Sequence, residues 1–452
     1  MTTRRTFLKV LSGGLGLAAV GLPSRQSLAD VAKASETEFF VFIIAAGGWD
    51  VTLWADPRNE AKGIVHPAST TNTDTSQLRR WVDAPLVDGE KSFQLVRPAG
   101  SNLVFGPGIG DLADMPDRLT VINGLAMNTV AHPDGQLFST TGRHPQGGRV
   151  AASSIDTMLS NELGRDQLLP TVSVRFPSAY VGADLDRRVV PLAIDDVGSI
   201  ARTVTRAQQY DANPERDLVT AMLSEEARDL AKRSTYPDVL DGLALQYEGV
   251  RHMLDSHLQD VFTTGGLQKA HPELNYTRRF TRGAAVNAAF AVESIKRNLV
   301  RCVSFAVGGF DTHGNNYRTQ AQLQQETFEL VALLVKSLDR TPHPLVQGHK
   351  LSEHTHILVV SDFCRTPQVN LALGRDHYPN NSALVVSPRF RSNFVFGKTD
   401  LEQLLPAPVK KFADGERAIA PPDLLATFVS AFGVDPRKYM RDGEVVKELL
   451  RL

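Results

Sequence analysis

The chain has 452 residues, 42% hydrophobic and 22% charged, a balance that allows a large buried core and excludes a collagen, a coiled coil or a disordered tail. A formal net charge of −1 gives no electrostatic reason to expect nucleic acid, whose partners carry a basic surface. Two cysteines, Cys302 and Cys364, are too few for a disulfide framework.

At the N-terminus, Arg4 and Arg5 precede Phe7, Leu8 and Lys9, an apolar run over 10–22 follows, and Ser27-Leu28-Ala29 supplies small residues at a cleavage spacing. This pattern predicts a twin-arginine signal over 1–29. The glycine-rich apolar run falls well short of the roughly 20 residues that a spanning helix needs. No other segment is apolar enough, so no stable membrane span is expected. The expected partner is the twin-arginine translocation machinery, which moves folded proteins, and the expected location is periplasmic or secreted. Removing residues 1–29 takes away Arg4, Arg5, Lys9 and Arg25 and no acid, so the mature chain is more acidic than the whole.

Residues 38–46 form an almost continuous apolar run, as in a strand buried on both faces of a parallel sheet, and end in Gly47-Gly48-Trp49-Asp50. The mixed-polarity stretch 56–100 is expected to be loop near the site. Further strands are predicted at 119–122, 300–307, 356–360 and 383–386. Apolar residues at three-and-four spacing predict helices at 154–163, 276–297 and 319–338. Residues 200–275 are charged and helical in pattern and are expected to form an insertion on the same domain. Strands alternating with helices predict a single α/β domain over 30–452, a mostly parallel central sheet with helices on both faces.

Ligands of such sheets bind beyond the carboxyl ends of the strands. Asp50 follows the first strand. Asp311-Thr312-His313 follows the third, and in extended geometry its two ligand-type side chains point to one side. Asp362 follows the fourth, and Asp376-His377 precedes the fifth. Each motif alone fits a polar turn, and Arg365 would then be the salt-bridge partner of Asp362. Together they suit a divalent ion, since carboxylate oxygens and imidazole nitrogens bind zinc, manganese, iron or calcium. His132, in a loop after the second strand, is a further candidate. Cys302 reads as core, and for Cys364, which sits in one of the polar motifs, a ligand or reactive-thiol role stands only as an alternative to a structural one. The other nine histidines, His343, His349, His354 and His356 among them, stand in no comparable context.

The twin-arginine start, Gly-Gly-x-Asp after the first strand, Gly-Phe-Asp-Thr-His, Ser-Asp-Phe-x-Arg-Thr and Asp-His resemble the uncharacterised bacterial family called domain of unknown function 1501. That family commonly has Ser-Glu-Phe-Gly-Arg-Thr where this chain has Asp362 and Cys364. It is in turn similar to the alkaline phosphatase and sulfatase superfamily, a metal-bearing α/β sandwich. The resemblance implies that Asp50, Asp311, His313, Asp362 and His377 are metal ligands. Phe363 stands where the superfamily has a histidine, so a second ion lacks a ligand unless Asp376, Cys364 or His132 supplies it. Counting back from the Thr-Gly-Arg ending at Arg143 places His132 where sulfatases carry Cys or Ser, which speaks against formylglycine chemistry. His132 can then be nucleophile, general acid or extra ligand, Thr129 is the fallback nucleophile, and metal-activated water is the simplest attacker.

The leading expectation is an exported metal-dependent hydrolase of phosphate or sulfate esters. Its site would comprise Asp50, Asp311, His313, Asp362, Asp376 and His377 around a divalent ion, His132 or Thr129 at the reacting centre, and Arg365 or Arg143 on a small anionic substrate. The alternatives are an envelope binding or assembly protein on the same fold without catalysis, and a metal-bearing redox or carrier protein.

Overall fold

The computed structural model describes residues 37–58, 78–87, 90–182, 185–200, scattered positions from 222 to 233, 262–274 and 281–451. The expected signal and most of the expected insertion at 200–275 lie outside them. Eight strands form one sheet: β1 (Phe39–Ala45), β2 (Leu119–Ala126), β3 (Leu169–Val174), β4 (Leu192–Ile194), β5 (Val300–Val307), β6 (Thr355–Ser361), β7 (Asn380–Val386) and β8 (Phe394–Phe396). Their order is β8-β2-β7-β6-β1-β5-β3-β4. Only β7 runs antiparallel to its neighbours. The five strands expected from sequence are the five contiguous ones at the centre.

Along β1 the side chains divide between two cores, the signature of a strand covered on both faces. Phe39, Val41 and Ile43 pack in one core with Ala288 and Phe328, from helices α4 (Arg282–Lys296) and α5 (Asn316–Arg340). Phe40, Phe42 and Ile44 pack in the other with Met158 and Phe428, from α2 (Ile155–Leu163) and α6 (Pro421–Ser430). Two further helices are α1 (His132–Thr141) and the short α3 (Thr264–Ala270). Among the described residues no helix is long and apolar enough to cross a membrane.

Two expectations are corrected. The stretch expected to be loop carries an antiparallel hairpin, Asp83–Val87 with Glu90–Phe93. The segment after the second strand is helical rather than loop: α1 begins at His132, with Pro133 in its first turn, where a missing N–H costs nothing.

Because β2, β5 and β6 are parallel and β7 is antiparallel, the segments after the first three and before the last emerge at one edge. His132, Asp311 with His313, Asp362, and Asp376 with His377 therefore arrive together from four places in the chain.

Candidate metal centre

Asp311 stands at the middle of this edge, half-exposed. Its Oδ1 lies 3.1 Å from His313 Nε2, 3.2 Å from His377 Nε2 and 3.4 Å from His132 Nε2, and it accepts a hydrogen bond from Arg365 Nη2 at 2.7 Å. Partial burial works to raise the Asp311 carboxyl. The hydrogen bonds from Arg365 and His377 and the charges of Arg365 and His132 outweigh it, holding the group down at about 2.

Each histidine is oriented through its other ring nitrogen. His132 Nδ1 pairs with Asp362 Oδ2 at 2.7 Å, His313 Nδ1 with Asp376 Oδ1 at 2.8 Å, and His377 Nδ1 with the Val130 carbonyl at 2.7 Å. All three acceptors accept a hydrogen bond from Nδ1 and turn Nε2 of each ring towards Asp311. The Asp362 hydrogen bond pushes the His132 pKa up, against the opposing effect of burial. His132 Nε2 is a buried atom without a hydrogen-bond partner.

The local sequence explains how the groups meet. Helix α1 lies on the end of β6 along one face, at the i, i+3, i+4 and i+7 positions His132, Gly135, Gln136 and Ser139. Gln136 Nε2 donates to Asp362 Oδ2 at 3.2 Å and Ser139 Oγ to the Ser361 carbonyl at 2.7 Å. A Cβ on Gly135 would lie 2.4 Å from the Asp362 carbonyl oxygen, so only glycine lets the helix down far enough for His132 to reach Asp362. Gly47, at a φ of 117°, donates its N–H to both Asp362 oxygens at 3.1 Å. His377 is set by a two-residue strand pair, His377–Tyr378 against Cys364–Arg365.

The donor set suits a divalent ion. The ligand atoms of His132, Asp311 and His377 all lie within 4.8 Å of one another. A zinc–ligand bond of about 2.0–2.1 Å puts neighbouring tetrahedral ligands roughly 3.3 Å apart, close to the separations found around Asp311 Oδ1.

Several site residues expected from sequence are placed differently. Asp362 and Asp376 orient histidines from behind. Asp50 is fully buried and caps a short helical turn: Oδ1 accepts from Thr52 N at 3.0 Å and Thr52 Oγ1 at 2.6 Å, and Oδ2 from Asn316 Nδ2 at 2.7 Å, with Arg375 Nε at 3.4 Å. That internal network holds it apart from the histidines. Arg365 is also fully buried, and pairs with Asp311 rather than Asp362. Its guanidinium donates to the carbonyls of Gly47, Gly48, Phe310 and Arg375, so it braces the loops instead of facing a substrate. Arg143 lies beyond the far end of α1 from His132, about 15 Å along a ten-residue helix. Thr129 makes its hydrogen bonds in the turn leading into α1, with Asp134 Oδ2 and Ala131 N, and none to the clustered histidines.

Cys364 is buried in the core, where burial pushes its thiol well above the ordinary range, and Cys302 is likewise core with a raised pKa. Phe363 stacks on His132 with ring centroids 4.9 Å apart and walls one side of the cluster. Gln136 and Asn370, which donates to Asp376 Oδ1 at 3.2 Å, were not singled out from sequence. Only the four-residue spacing of Gln136 from His132 could have marked it, once α1 was recognised as a helix.

The fold and the cluster define an α/β protein with a mostly parallel central sheet and an imidazole–carboxylate centre at its carboxyl edge. Residues 39–445 match the family described as Protein of unknown function (DUF1501), and the chain belongs to that family. No curated protein matches the sequence significantly. Among solved structures the chain is similar to the PH0037 protein from Pyrococcus horikoshii, at 9% identity over 88% of this chain and 98% of that one, with a TM-score of 0.29, too low to bear on the fold.

Proposed function

We propose that this protein is an exported metal-dependent hydrolase of phosphate or sulfate esters. The observation that carries the reading is the convergence of three imidazole Nε2 atoms on Asp311 Oδ1, each ring fixed from behind. His132, Asp311 and His377 would hold the ion, two nitrogens and an oxygen in a set that favours zinc, manganese or iron over calcium, which takes six to eight oxygens. When bound, such an ion supplies Lewis acidity and activates water near neutral pH. His313, half-exposed and backed by Asp376, is placed to move a proton at the leaving oxygen. Phe363 and the stacked rings keep one side of the centre dry. The twin-arginine motif supports export in the folded state.

A binding protein on the same fold is favoured by one observation, the burial of Arg365, which leaves the ion as the main cation for an ester anion. Elemental analysis of the mature protein, exported through its own signal, separates the two. One equivalent of zinc, manganese or iron, absent from Asp311→Ala/His377→Ala, together with turnover of p-nitrophenyl phosphate or sulfate, supports the hydrolase. A metal-free exported protein with an intact fold sinks it.

A further inference from the structure

Histidines also gather at the opposite edge of the sheet, around the point where the chain enters β1. His343 follows α5, His349 stands in the turn leading back to the sheet, His354 immediately precedes β6, and His356 is the second residue of β6. The length of β1, seven residues, separates this edge from the metal centre by roughly 20 Å.

The hydrogen bonds of His343 fix where its proton sits. The residue is 6% exposed, and its Nδ1 accepts from two backbone groups, Leu345 N at 3.0 Å and Val346 N at 2.9 Å. An amide N–H only donates, so Nδ1 holds a lone pair and the ring is neutral, with its proton on Nε2. Nε2 donates to the Thr37 carbonyl at 2.9 Å. One ring therefore closes the turn after α5 and ties it to the chain two residues before β1. The turn is also held by His343 N on the His349 carbonyl and Leu351 N on the Thr341 carbonyl, both at 2.9 Å. The entering chain is held by Phe39 N on the His354 carbonyl at 2.7 Å and by Arg301 Nη1 on the Glu38 carbonyl.

The His343 ring lies against Phe39, centroids 5.5 Å apart, and edge-on to His354 at 4.5 Å. His349 Nδ1 lies 3.0 Å from His354 Nε2 and 3.1 Å from Glu353 Oε2. Glu38 carries His356 Nε2 at 2.6 Å and Arg389 Nη2 at 3.0 Å. Burial pushes the His343 pKa down, and the charges of His354 and His349 add to it, against the Thr37 hydrogen bond and the charge of Glu38. Glu38, despite its burial, is held far below the usual range by hydrogen bonds from His354, His356 and Arg389, and Glu353 is lowered first by the Lys350 N–H. Both therefore stay carboxylates through the range in which histidines titrate. His356 is fully buried, and burial pushes its pKa down as well.

We propose that His343 is an acid-sensitive latch on the entry of the chain into β1. Neutral, the ring closes the turn and holds Thr37. A proton taken up at Nδ1 replaces the acceptor with a donor facing two N–H groups, so both turn bonds are lost together, and the ring that leaves them also gives up the Thr37 carbonyl. A histidine whose pKa falls on folding contributes stability that is fully present above its unfolded value near 6.5 and is lost as pH drops below it towards the folded value. The latch is thus closed at neutral pH and loosens in acid, at the edge of the sheet remote from the metal centre.

The test is hydrogen exchange of the mature protein, read by mass spectrometry at about pH 7.5 and about pH 5, each rate corrected for the exchange of an unstructured chain at that pH. Protection in 37–41 and 342–351 should fall about 10–30-fold in acid, since each pH unit below the unfolded value shifts the balance up to about tenfold, while β2 keeps its protection. His343→Asn offers the Leu345 and Val346 N–H groups an amide oxygen that takes no proton, so protection of 342–351 should no longer depend on pH. His343→Ala should show, already at neutral pH, the weak protection that the wild type reaches in acid. Wild-type protection that is equal at the two pH values in both segments overturns the proposal whether or not the variants fold, as does an acid loss in 342–351 that His343→Asn retains in full.

Discussion

His313 and His377 face each other Nε2 to Nε2 at 2.9 Å. The Val130 carbonyl can only accept, and Asp376 is held below its ordinary pKa, first by its hydrogen bond from His313, so both rings donate from Nδ1. Two bare Nε2 lone pairs at that distance repel, and the contact is favourable only with a proton or a cation on one of them. The pair therefore calls for a proton or a cation between the two nitrogens.

Metal loading should therefore release protons. His132, whose pKa is raised first by its hydrogen bond with Asp362, holds a proton to higher pH than an ordinary histidine. An ion held by His132 displaces that proton, so apparent affinity should rise with pH through the histidine range. Titration calorimetry in buffers of different ionisation enthalpy should give at least one proton released per ion near pH 6, with fewer at pH 8. Proton uptake on loading would contradict the arrangement.

Asp362 and Asp50 should separate sharply. Asp362→Ala removes the acceptor that orients His132 and should weaken metal affinity about 10–100-fold without abolishing it. Asp50→Asn should leave the ion in place and lower stability, because Asp50 serves Thr52, Asn316 and Arg375 inside the protein. Competition with a chromophoric chelator, beside urea melts, measures both.

The sequence showed the sheet best where strands are buried on both faces. Runs such as Phe39–Ala45 have no polar register to confuse, and the five central strands were legible for that reason. β3 was not, because Pro170, Thr171 and Ser173 break its apolar run. The structure satisfies those hydroxyls locally, Thr171 with Ser160 at 2.6 Å and Ser173 with the Phe176 carbonyl at 3.1 Å. β4 and β8 have three residues each, too few for a period. α6 was hidden by Pro421-Pro422, which resembles a loop and is in fact a helix start. At the site, Asp311, His313 and His377 were legible from their place at strand ends. Asp50 shares that placement but turns inward, because Asn316 and Arg375, far away in sequence, supply its partners. The same limit hid His343, whose ring is fixed in part by Thr37, 306 residues earlier in the chain.

Arg365 should behave as a brace. Its donors hold Gly47, Gly48, Phe310 and Asp311 in one arrangement, and a truncated side chain leaves buried carbonyls without partners. Arg365→Ala is expected to cost about 3–5 kcal/mol of stability, the range for breaking a buried charged contact. A guanidinium that served only to bind substrate would instead raise KM in a protein of unchanged denaturation midpoint, and the two outcomes are distinguished by urea melts at neutral pH.

Glu293 gives the clearest pH dependence of stability. It is 2% exposed on α4, with His271 Nε2 at 3.0 Å, Arg297 Nε at 2.7 Å and Lys296 Nζ at 3.5 Å, and so ties the segment before α4 to the core. Burial works to raise its pKa, yet the hydrogen bonds from His271 and Arg297 and the nearby charges bring it down to about 2. A carboxyl lowered on folding contributes stability that is fully present above its unfolded value near 4.5 and is lost as pH falls through about 2. Glu293→Gln should therefore cost about 1–3 kcal/mol at pH 7, and the gap between variant and wild type should close on acidification below about 4.5. Denaturant midpoints at several pH values between 7 and 3 measure it, and a gap that widens towards acid would place the stabilising charge elsewhere.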